Sequence, residues 1–133
     1  MRFKDRIAIV TGEAQGFGRA IARPLEADGE PVVIVDIDGP GADAVANALK
    51  ADGLKAQPLH LDITDPARVT AALRQVIDEL GGVDILVNNA GVVGDEHPVH
   101  EMTDEQWHRV MDVNLHAVFY CSRAVIPAML KNK

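Results

Sequence analysis

The sequence has few cysteines and few basic residues, and each shortage excludes a class of protein. Its single cysteine, Cys121, excludes an internal disulfide and fits a reducing compartment. The 13 lysines and arginines are outnumbered by 20 aspartates and glutamates, for a net charge of -7, and they form no basic stripe. This charge balance argues against a nucleic acid or an anionic membrane as a partner.

Long apolar runs are also missing. The charged first residues lead into only four consecutive apolar residues, at positions 7–10, which is too short for a signal peptide or a membrane span. We therefore expect a cytoplasmic protein. A length of 133 residues, of which 47% are hydrophobic and 25% charged, is typical of one globular domain with a real core, so we expect a single domain over residues 1–133.

A glycine-rich turn follows the apolar run and leads directly into an amphipathic helix. Gly12, Gly16 and Gly18 allow close approach of backbone and ligand, and the free N–H groups at the start of a helix favour an anion in such a turn. The pattern predicts a cradle for a nucleotide pyrophosphate. The Gly-x-x-x-Gly-x-Gly spacing differs from the common dinucleotide fingerprint and from the P-loop, so an ordinary strand-to-helix turn is the alternative.

Strand-like and helix-like patterns alternate along the whole chain, which predicts an α/β protein with a parallel sheet. The expected strands are residues 7–10, 31–36, 55–61 and 83–87. Right-handed crossovers give the strand order 3-2-1-4. We therefore predict a Rossmann fold, a three-layer α/β/α arrangement, in which the glycine turn and the segment after the fourth strand flank one crevice.

The longest predicted helix follows a capping box at residues 103–106 and runs to about Leu130. We expect Cys121 to be a core residue of this helix. Pro24 is expected to kink the first helix, and we assign it no function. The predicted core face of the long helix consists of Trp107, Val110, Met111, Val118, Ser122, Val125, Ile126 and Met129.

A carboxylate ends the second predicted strand. Asp36 follows Gly18 by 18 positions, where a carboxylate can accept hydrogen bonds from the hydroxyls of an adenosine ribose. It would repel a 2′-phosphate, so NAD is favoured over NADP. Asp38 strengthens this preference and Arg19 mildly opposes it. A solvated carboxylate after a strand is the alternative reading of Asp36.

Two histidines raise the question of a metal site. His97 and His100 lie three positions apart in a polar loop with acidic neighbours, but no cysteine or His-Glu-x-x-His pattern accompanies them. We expect an exposed polar loop and no metal site.

Five motifs in order resemble the NAD(P)-dependent short-chain dehydrogenases/reductases: residues 11–18, Asp36, residues 61–64, the Asn-Asn-Ala-Gly segment 88–91, and Asn114. The resemblance covers the whole chain and identifies it as similar to the N-terminal, NAD-binding half of such an enzyme. It implies oxidation of an alcohol or reduction of a carbonyl. It also implies that Asn114 is catalytic, holding a proton-relay water. The cofactor-binding residues implied by the cradle and the resemblance are Gly12, Gln15, Gly16, Phe17, Gly18, Asp36, Ile37, Asp62, Ile63, Asn88, Ala90 and Gly91.

The chain departs from that family in its catalytic residues. The family's serine and its Tyr-x-x-x-Lys pair follow the position of Asn114, whereas here Tyr120 is the one tyrosine and Ala124 stands four residues after it. Ser122, the one serine, lies inside the long helix. We therefore expect this chain alone to be nearly inactive, because it lacks a general acid. A non-catalytic dinucleotide-binding module is the alternative; a methyltransferase does not explain segment 88–91 together with Asn114.

The sequence also predicts self-association. The fourth strand would have an open edge, and the long helix has more apolar surface than one sheet can cover. We expect a homo-oligomer that binds a nicotinamide dinucleotide. A small alcohol or carbonyl substrate is expected only where the missing catalytic half is present.

Overall fold

The computed structural model describes residues 4–12, 17–26 and 31–132. The described elements alternate as the sequence predicts. The strands are β1 (Ala8–Thr11), β2 (Val32–Asp36), β3 (Ala56–His60) and β4 (Ile85–Val87). The helices are α1 (Phe17–Glu26), α2 (Gly39–Ala51), α3 (Pro66–Leu80), a short 3₁₀ helix (Val99–Glu101), α4 (Asp104–Met111), a π-helical turn (Asp112–His116) and α5 (Ala117–Lys131).

The four strands form one parallel sheet in the order β3-β2-β1-β4, which confirms the predicted strand order and the Rossmann fold. Val10 of β1 lies between Ile34 of β2 and Val87 of β4. The strand order reverses between β1 and β4. The carboxyl ends of these two strands therefore border the crevice in which open α/β sheets bind ligands.

The sheet is covered on both faces, as the continuous apolar strands predict. Ile9 and Val33 point to the face that carries α3 and α5. Val10 and Ile34 point to the opposite face, which carries α1 and α2. These four side chains have no exposed surface, so the two layers of helices enclose a dry core around β1 and β2.

Local polar contacts set the ends of several elements. Asp38 and Asp65 cap α2 and α3, because the carboxylate of each accepts a backbone N–H in the first turn of its helix.

Strand β4 begins at Ile85, two residues after the predicted start. The Asp84 carboxylate accepts the N–H of Ile7 at 2.9 Å, and the N–H groups of Asp84 and Ile85 both donate to the Ile7 carbonyl. These bonds join the chain before β4 to β1 without extending the ladder.

The long C-terminal helix is continuous from α4 through the π-helical turn to α5. The predicted capping box is present, with Thr103 and Gln106 each binding the other's backbone N–H. The predicted core face is wrong in part, because Trp107 and Ile126 are about half exposed, at 50% and 47%. In α5, the buried positions 117, 121 and 124 each precede a predicted core position, 118, 122 and 125, by one residue.

The core face of α5 consists mainly of small side chains, namely Ala117, Cys121, Ala124 and Val125. They let α5 pack closely beside α3 on the sheet. Cys121 is fully buried, as expected, and burial raises the pKa of its thiol to about 11. The thiol therefore stays protonated near neutral pH.

The continuous helix from Asp104 to Lys131 has the length and apolar composition of a membrane span. Its α5 half nevertheless packs against α3 and supplies core residues to the sheet. That packing is typical of a core helix in a soluble domain.

In α1, the helix continues through the exposed Pro24 and ends two residues later, at Glu26.

Candidate functional site

A crevice of about 660 Å³ lies at the carboxyl ends of the strands, at the switch point between β1 and β4. It has three walls, formed by the residues after β1 and β4, by the end of β2, and by the segment after β3. The lining residues are Gly12, Val35, Asp36, Ile37, Asp38, Leu61, Asp62, Ile63, Thr64, Asn89, Ala90, Gly91, Val92 and Val113.

The floor of the crevice is a close contact between the ends of β1 and β4. Gly12 has a φ of +73°, and a Cβ added to it would lie 2.4 Å from the Cα of Ala90. Only glycine fits this position, because a side chain would be strained by the backbone angle and would also clash with the neighbouring main chain. The sequence predicts a glycine here so that the backbone and a ligand can approach each other closely. In the structure, the group that lies closest to Gly12 is the protein's own Ala90.

A buried threonine joins the same two strand ends. Thr11 is 1% exposed, and its Oγ1 accepts the N–H of Asn89 at 3.2 Å and that of Ala90 at 3.1 Å. The Asn89 side-chain amide donates to the Gly12 carbonyl at 3.0 Å. We call these three hydrogen bonds the strand-end brace. They satisfy backbone groups beyond the ends of the ladder and hold the β1 and β4 walls of the crevice together.

The β2 wall is acidic and closely ordered. Oδ1 of Asp36 accepts the N–H of Asp38 at 2.9 Å, and Oδ1 of Asp38 accepts the N–H of Gly41 at 3.0 Å. The first bond closes a turn directly after β2, and the second caps α2. Two carboxylates therefore lie at the rim of the crevice, next to the exposed apolar side chain of Ile37, which is 63% exposed.

The opposite wall carries a third carboxylate. Oδ1 of Asp62 accepts both the hydroxyl of Thr64 at 2.7 Å and its N–H at 3.0 Å. These two bonds favour the ionised carboxylate and lower the pKa of Asp62 below its ordinary value of 3.8. Ile63 lies between the two residues and lines the crevice beside them.

The π-helical turn holds the far end of the crevice. Asn114 lies in this turn, and its side-chain Oδ1 accepts the N–H of Val92 at 2.8 Å while its Nδ2 donates to the Val92 carbonyl at 2.9 Å. This paired contact, which we call the Asn114 clamp, fixes the chain that follows Gly91. Val113 of the same turn lines the crevice directly.

Asn88 and Asn114, two of the predicted site residues, do not line the crevice. The Asn88 amide donates to Ser122 Oγ on α5 at 3.4 Å, and Asn114 contacts the lining through its hydrogen bonds to Val92. Tyr120 packs against the core cluster, in agreement with a packing role. Phe17 and Gly18 begin α1, whereas Gln15 and Gly16 lie outside the described residues.

The loop that contains His97 and His100 does not line the crevice. His97 and His100 are exposed, and His100 lies 3.7 Å from the carboxylate of Glu101. Within residues 4–12, 17–26 and 31–132, no group of three or more histidine, cysteine or acidic side chains is arranged to hold a metal ion.

Some lining residues were not singled out from the sequence. Leu61, Thr64 and Asn89 belong to the motifs 61–64 and 88–91, so their neighbourhood was recognised although their roles were not. Val92 and Val113 had no signal of their own, because an isolated valine beside a loop or in a helix has no distinctive spacing. Their part in the crevice depends on the Asn114 clamp.

The chain is similar to known dehydrogenases and reductases in sequence and in structure. The short chain dehydrogenase family model matches residues 6–133. The chain is 42% identical over 133 residues to the 3-oxoacyl-[acyl-carrier-protein] reductase FabG of Escherichia coli, covering 100% of this chain and 53% of that protein. It is 41% identical over 131 residues to the 2-dehydro-3-deoxy-L-rhamnonate dehydrogenase (NAD(+)) of a Sphingomonas species, covering 98% of this chain and 51% of that one.

Solved structures give the same result. A metagenomic short-chain oxidoreductase in complex with NADP superposes with a TM-score of 0.93 at 34% identity, covering 99% of this chain and 60% of its own. A 3-ketoacyl-(acyl-carrier-protein) reductase from Brucella melitensis complexed with NADH superposes with a TM-score of 0.88 at 34% identity, covering 98% and 52%. The chain spans about half the length of the curated relatives it matches. By sequence and by fold, it belongs to the short-chain dehydrogenase family, whose members bind nicotinamide cofactors and act as oxidoreductases.

Proposed function

We propose that this chain is the NAD-binding portion of an oxidoreductase that transfers hydride between a nicotinamide cofactor and an alcohol or carbonyl carbon. One observation carries the proposal: the crevice at the β1/β4 switch point combines a glycine floor, Gly12 against Ala90, with the Asp36 carboxylate at the end of β2. This is where a dinucleotide binds in a Rossmann fold, with its adenosine ribose beside the carboxylate.

The residues present fit such a cofactor. Asp36, Ile37, Asp62 and Ile63 would bind the adenosine end, because the rim there combines carboxylate acceptors with exposed apolar surface. Gly12, Gln15, Gly16, Phe17 and Gly18 would bind the pyrophosphate, and Asn88, Ala90 and Gly91 would border the nicotinamide ribose. When bound, the cofactor supplies or accepts the hydride. The chain's own contribution is to hold and orient it.

Asn114 is proposed to hold a proton-relay water. The Asn114 clamp uses one lone pair of Oδ1 and one N–H of Nδ2, and an amide has a second of each. The clamp also fixes the position of those remaining groups, which is what a relay requires.

NAD is the proposed cofactor rather than NADP. The structural relatives include one complex with NADP and one with NADH, so the preference rests on this chain's own carboxylates. Asp36 can accept from the ribose hydroxyls and would repel a 2′-phosphate.

Calorimetric titration of NAD and then NADP into the chain tests the proposal. We expect saturable NAD binding, with NADP weaker by about tenfold or more. Equal affinities would contradict the cofactor preference. The absence of any NAD binding by a folded chain would contradict the proposed function itself.

The chain by itself is proposed to be nearly inactive. Tyr120 is the one tyrosine in the sequence, and Ala124 stands four residues after it, so the Tyr-x-x-x-Lys pair of the family is missing. Turnover by the isolated chain, with NAD and a panel of small alcohols, would contradict this proposal. A chain that binds NAD without turnover also fits the second candidate function, a non-catalytic dinucleotide-binding module in the cytoplasm.

We also propose that the chain self-associates. Leu115, Phe119, Ile126 and Leu130 are each about half exposed, at 55%, 57%, 47% and 55%, and lie at helical spacing opposite the core face of α5. We call this set the outer stripe. Its spacing of four, seven and four residues reads the same in both directions, so two copies in antiparallel orientation can match it to itself.

A further inference from the structure

The segment after β4, residues 88–92, is held in place from three directions. The strand-end brace joins it to β1, and the Asn114 clamp joins it to the π-helical turn. The third contact comes from α5, where Ser122 Oγ accepts the side-chain amide of Asn88 at 3.4 Å. Neither the motifs of the sequence nor the family resemblance assigns a role to this third contact.

The position of Asn88 explains why its side chain faces α5. Asn88 directly follows β4 and stands two positions after Leu86, which packs into the core on the face that carries α3 and α5. Alternate residues of a strand point to the same face of the sheet, so the amide of Asn88 points to this face as well. Its main chain continues into Asn89, which lines the crevice. The side chain of Asn88 can therefore fix the main chain beside the crevice without occupying the crevice.

Ser122 belongs to a rigid part of the molecule. Its neighbour Cys121 is fully buried, and Val125, three positions further along α5, is buried as well. Ser122 itself is partly buried. The buried neighbours fix the place of the Ser122 hydroxyl, and residues that support a binding site are effective when packing holds them in this way.

The contact affects orientation more than stability. Asn88 is exposed, so water competes for its amide, and the net contribution of such a hydrogen bond to the free energy of unfolding is small. Alanine is also a better helix former than serine, so a serine at position 122 does not strengthen α5. The hydrogen bond does restrict the rotation of the Asn88 side chain, and with it the main chain that leads into the crevice.

We infer that Ser122 is a positioning residue for the nicotinamide end of the cofactor. It acts through Asn88, whose amide it holds against α5. The inference rests on the proposed function, in which Asn88 borders the nicotinamide ribose. Loss of the Ser122 hydroxyl therefore weakens the binding of a ligand that has a nicotinamide ribose. It spares a ligand that reaches only the adenosine and pyrophosphate parts of the site.

The test compares Ser122→Ala with Thr70→Ala. The first variant removes the acceptor of the Asn88 amide. Thr70 is a partly buried residue of α3 that does not line the crevice, so its replacement is the matched control for removing a hydroxyl from a helix. Ser122→Thr keeps a hydroxyl at the same position and is the conservative variant. Thermal unfolding of each variant verifies that it is folded.

Calorimetric titration of each variant with NAD and with ADP separates the two ends of the cofactor. ADP has the adenosine and the pyrophosphate of NAD but lacks the nicotinamide ribose. We expect Ser122→Ala to bind NAD about threefold more weakly than the unsubstituted chain does, and to bind ADP with unchanged affinity. Thr70→Ala and Ser122→Thr should bind both ligands as the unsubstituted chain does.

A double-mutant cycle tests whether Ser122 acts through Asn88. Asn88→Ala should weaken NAD binding, and adding Ser122→Ala to it should cause no further loss, because the contact is already gone. Proton NMR of the Asn88 side-chain amide tests the contact without any cofactor. Its resonances should shift in Ser122→Ala and stay in place in Thr70→Ala.

The outcomes separate the inference from the proposed function. If the unsubstituted chain binds NAD, but Ser122→Ala weakens NAD and ADP equally or weakens neither, the inference is wrong and the proposed function stands. Additive losses in the double variant would also refute the inference. If the unsubstituted chain is folded and binds no NAD, the proposed function and the inference that rests on it are both overturned.

Discussion

At the scale of single residues, Thr11 connects the core to the crevice. It is a buried polar side chain at the end of β1, and it is bonded to two backbone N–H groups that follow β4. Strand ends leave such groups without ladder partners, and buried unpaired N–H groups are costly. One hydroxyl oxygen satisfies both of them.

Replacing Thr11 with valine should remove this acceptor while keeping the shape of the side chain. We expect the free energy of unfolding to fall by about 1–3 kcal/mol, because two N–H groups lose their partner. NAD affinity should fall as well, since Ala90 is no longer held. Denaturant unfolding and NAD titration measure the two effects. Thr11→Ser, which keeps the oxygen, is the control, and a valine variant as stable as the serine variant would contradict the prediction.

Gly12 offers a second test of the crevice floor. A Cβ at Gly12 is both strained, with a φ of +73°, and 2.4 Å from Ala90 Cα. Gly53 has a φ of +82° with nothing within 4 Å of its added Cβ. Gly53→Ala should therefore cost only the backbone strain, about 1–2 kcal/mol. Gly12→Ala should cost more and should weaken NAD binding, whereas Gly53→Ala should leave binding unchanged. Equal losses of stability in the two variants would contradict the prediction, because the clash with Ala90 would then not affect the free energy of unfolding.

Thr64 controls the ionisation of Asp62. Thr64→Val should raise the pKa of Asp62 towards its ordinary value of 3.8, because the hydroxyl hydrogen bond is the largest cause of its depression. A carboxyl whose pKa is depressed in the folded state stabilises the protein above its unfolded pKa, and this contribution is lost as the pH falls through the folded pKa. The valine variant should therefore lose less stability on acidification.

A carbon-13 NMR titration of the Asp62 carboxyl measures this shift directly. Thr64→Ser retains a hydroxyl and serves as the control. If the pKa of Asp62 is the same in the valine and serine variants, the side-chain hydrogen bond is not its cause.

At the scale of elements, the π-helical turn connects α4 to α5 and contributes to the crevice. It holds Asn114 where its amide can pair with the backbone of Val92, and its Val113 lines the crevice. π-turns within α-helices occur frequently at functional sites. Here the turn couples the longest helix to the wall of the crevice.

Asn114→Ala should release the segment after Gly91. We expect the free energy of unfolding to fall by about 1–3 kcal/mol for the two lost hydrogen bonds. Hydrogen exchange at the Val92 amide should become faster. Asn47→Ala on the exposed face of α2 is the control for replacing a helical asparagine. Unchanged exchange at Val92 in the Asn114 variant would contradict the clamp.

At the scale of the whole molecule, the outer stripe and the edge of β4 are two surfaces that a second copy of the chain could cover. Within the described part of the chain, strand β4 lies at one edge of the sheet and pairs only with β1. On the outer stripe, the Arg123 guanidinium lies 4.7 Å from the centre of the Phe119 ring. Aromatic side chains and arginine are enriched in the cores of protein interfaces.

We expect Phe119→Glu to reduce self-association, because it places a charge in the middle of the outer stripe. Sedimentation velocity over a range of concentrations measures the change. Val99→Glu is the matched control, since Val99 is 77% exposed, lies in the short 3₁₀ helix and is not one of the residues of the outer stripe. A monodisperse monomer of the unsubstituted chain would contradict the predicted oligomer.

Much of the fold could be predicted because its signals are local. Four apolar strands between helices, with a capping box at residues 103–106, identify the elements from neighbouring residues alone. The handedness of crossovers then reduces the possible strand orders to a few, among which 3-2-1-4 is the Rossmann order. The crevice could be located by the same reasoning, since it lies where the strand order reverses, between Gly12 and the segment after β4.

The remaining features depend on contacts between residues far apart in sequence. Thr11 meets Asn89 and Ala90 across 78 and 79 positions, and Asn114 meets Val92 across 22. No short pattern encodes such a pair, because each partner is an ordinary residue in its own neighbourhood. The core face of α5 likewise depends on distant contacts, because packing against α3 and the sheet buries positions 117, 121 and 124 and leaves 118 and 122 only partly buried.

By itself, the sequence determined the order of elements, the parallel sheet and the place of the crevice, because hydrophobic periodicity, capping residues and glycine spacing act over a few residues. Only the tertiary structure decided how that crevice is held open and charged. The strand-end brace, the Asn114 clamp and the fixed position of Asp38 exist only where folded strands and helices bring donors and acceptors within hydrogen-bonding distance.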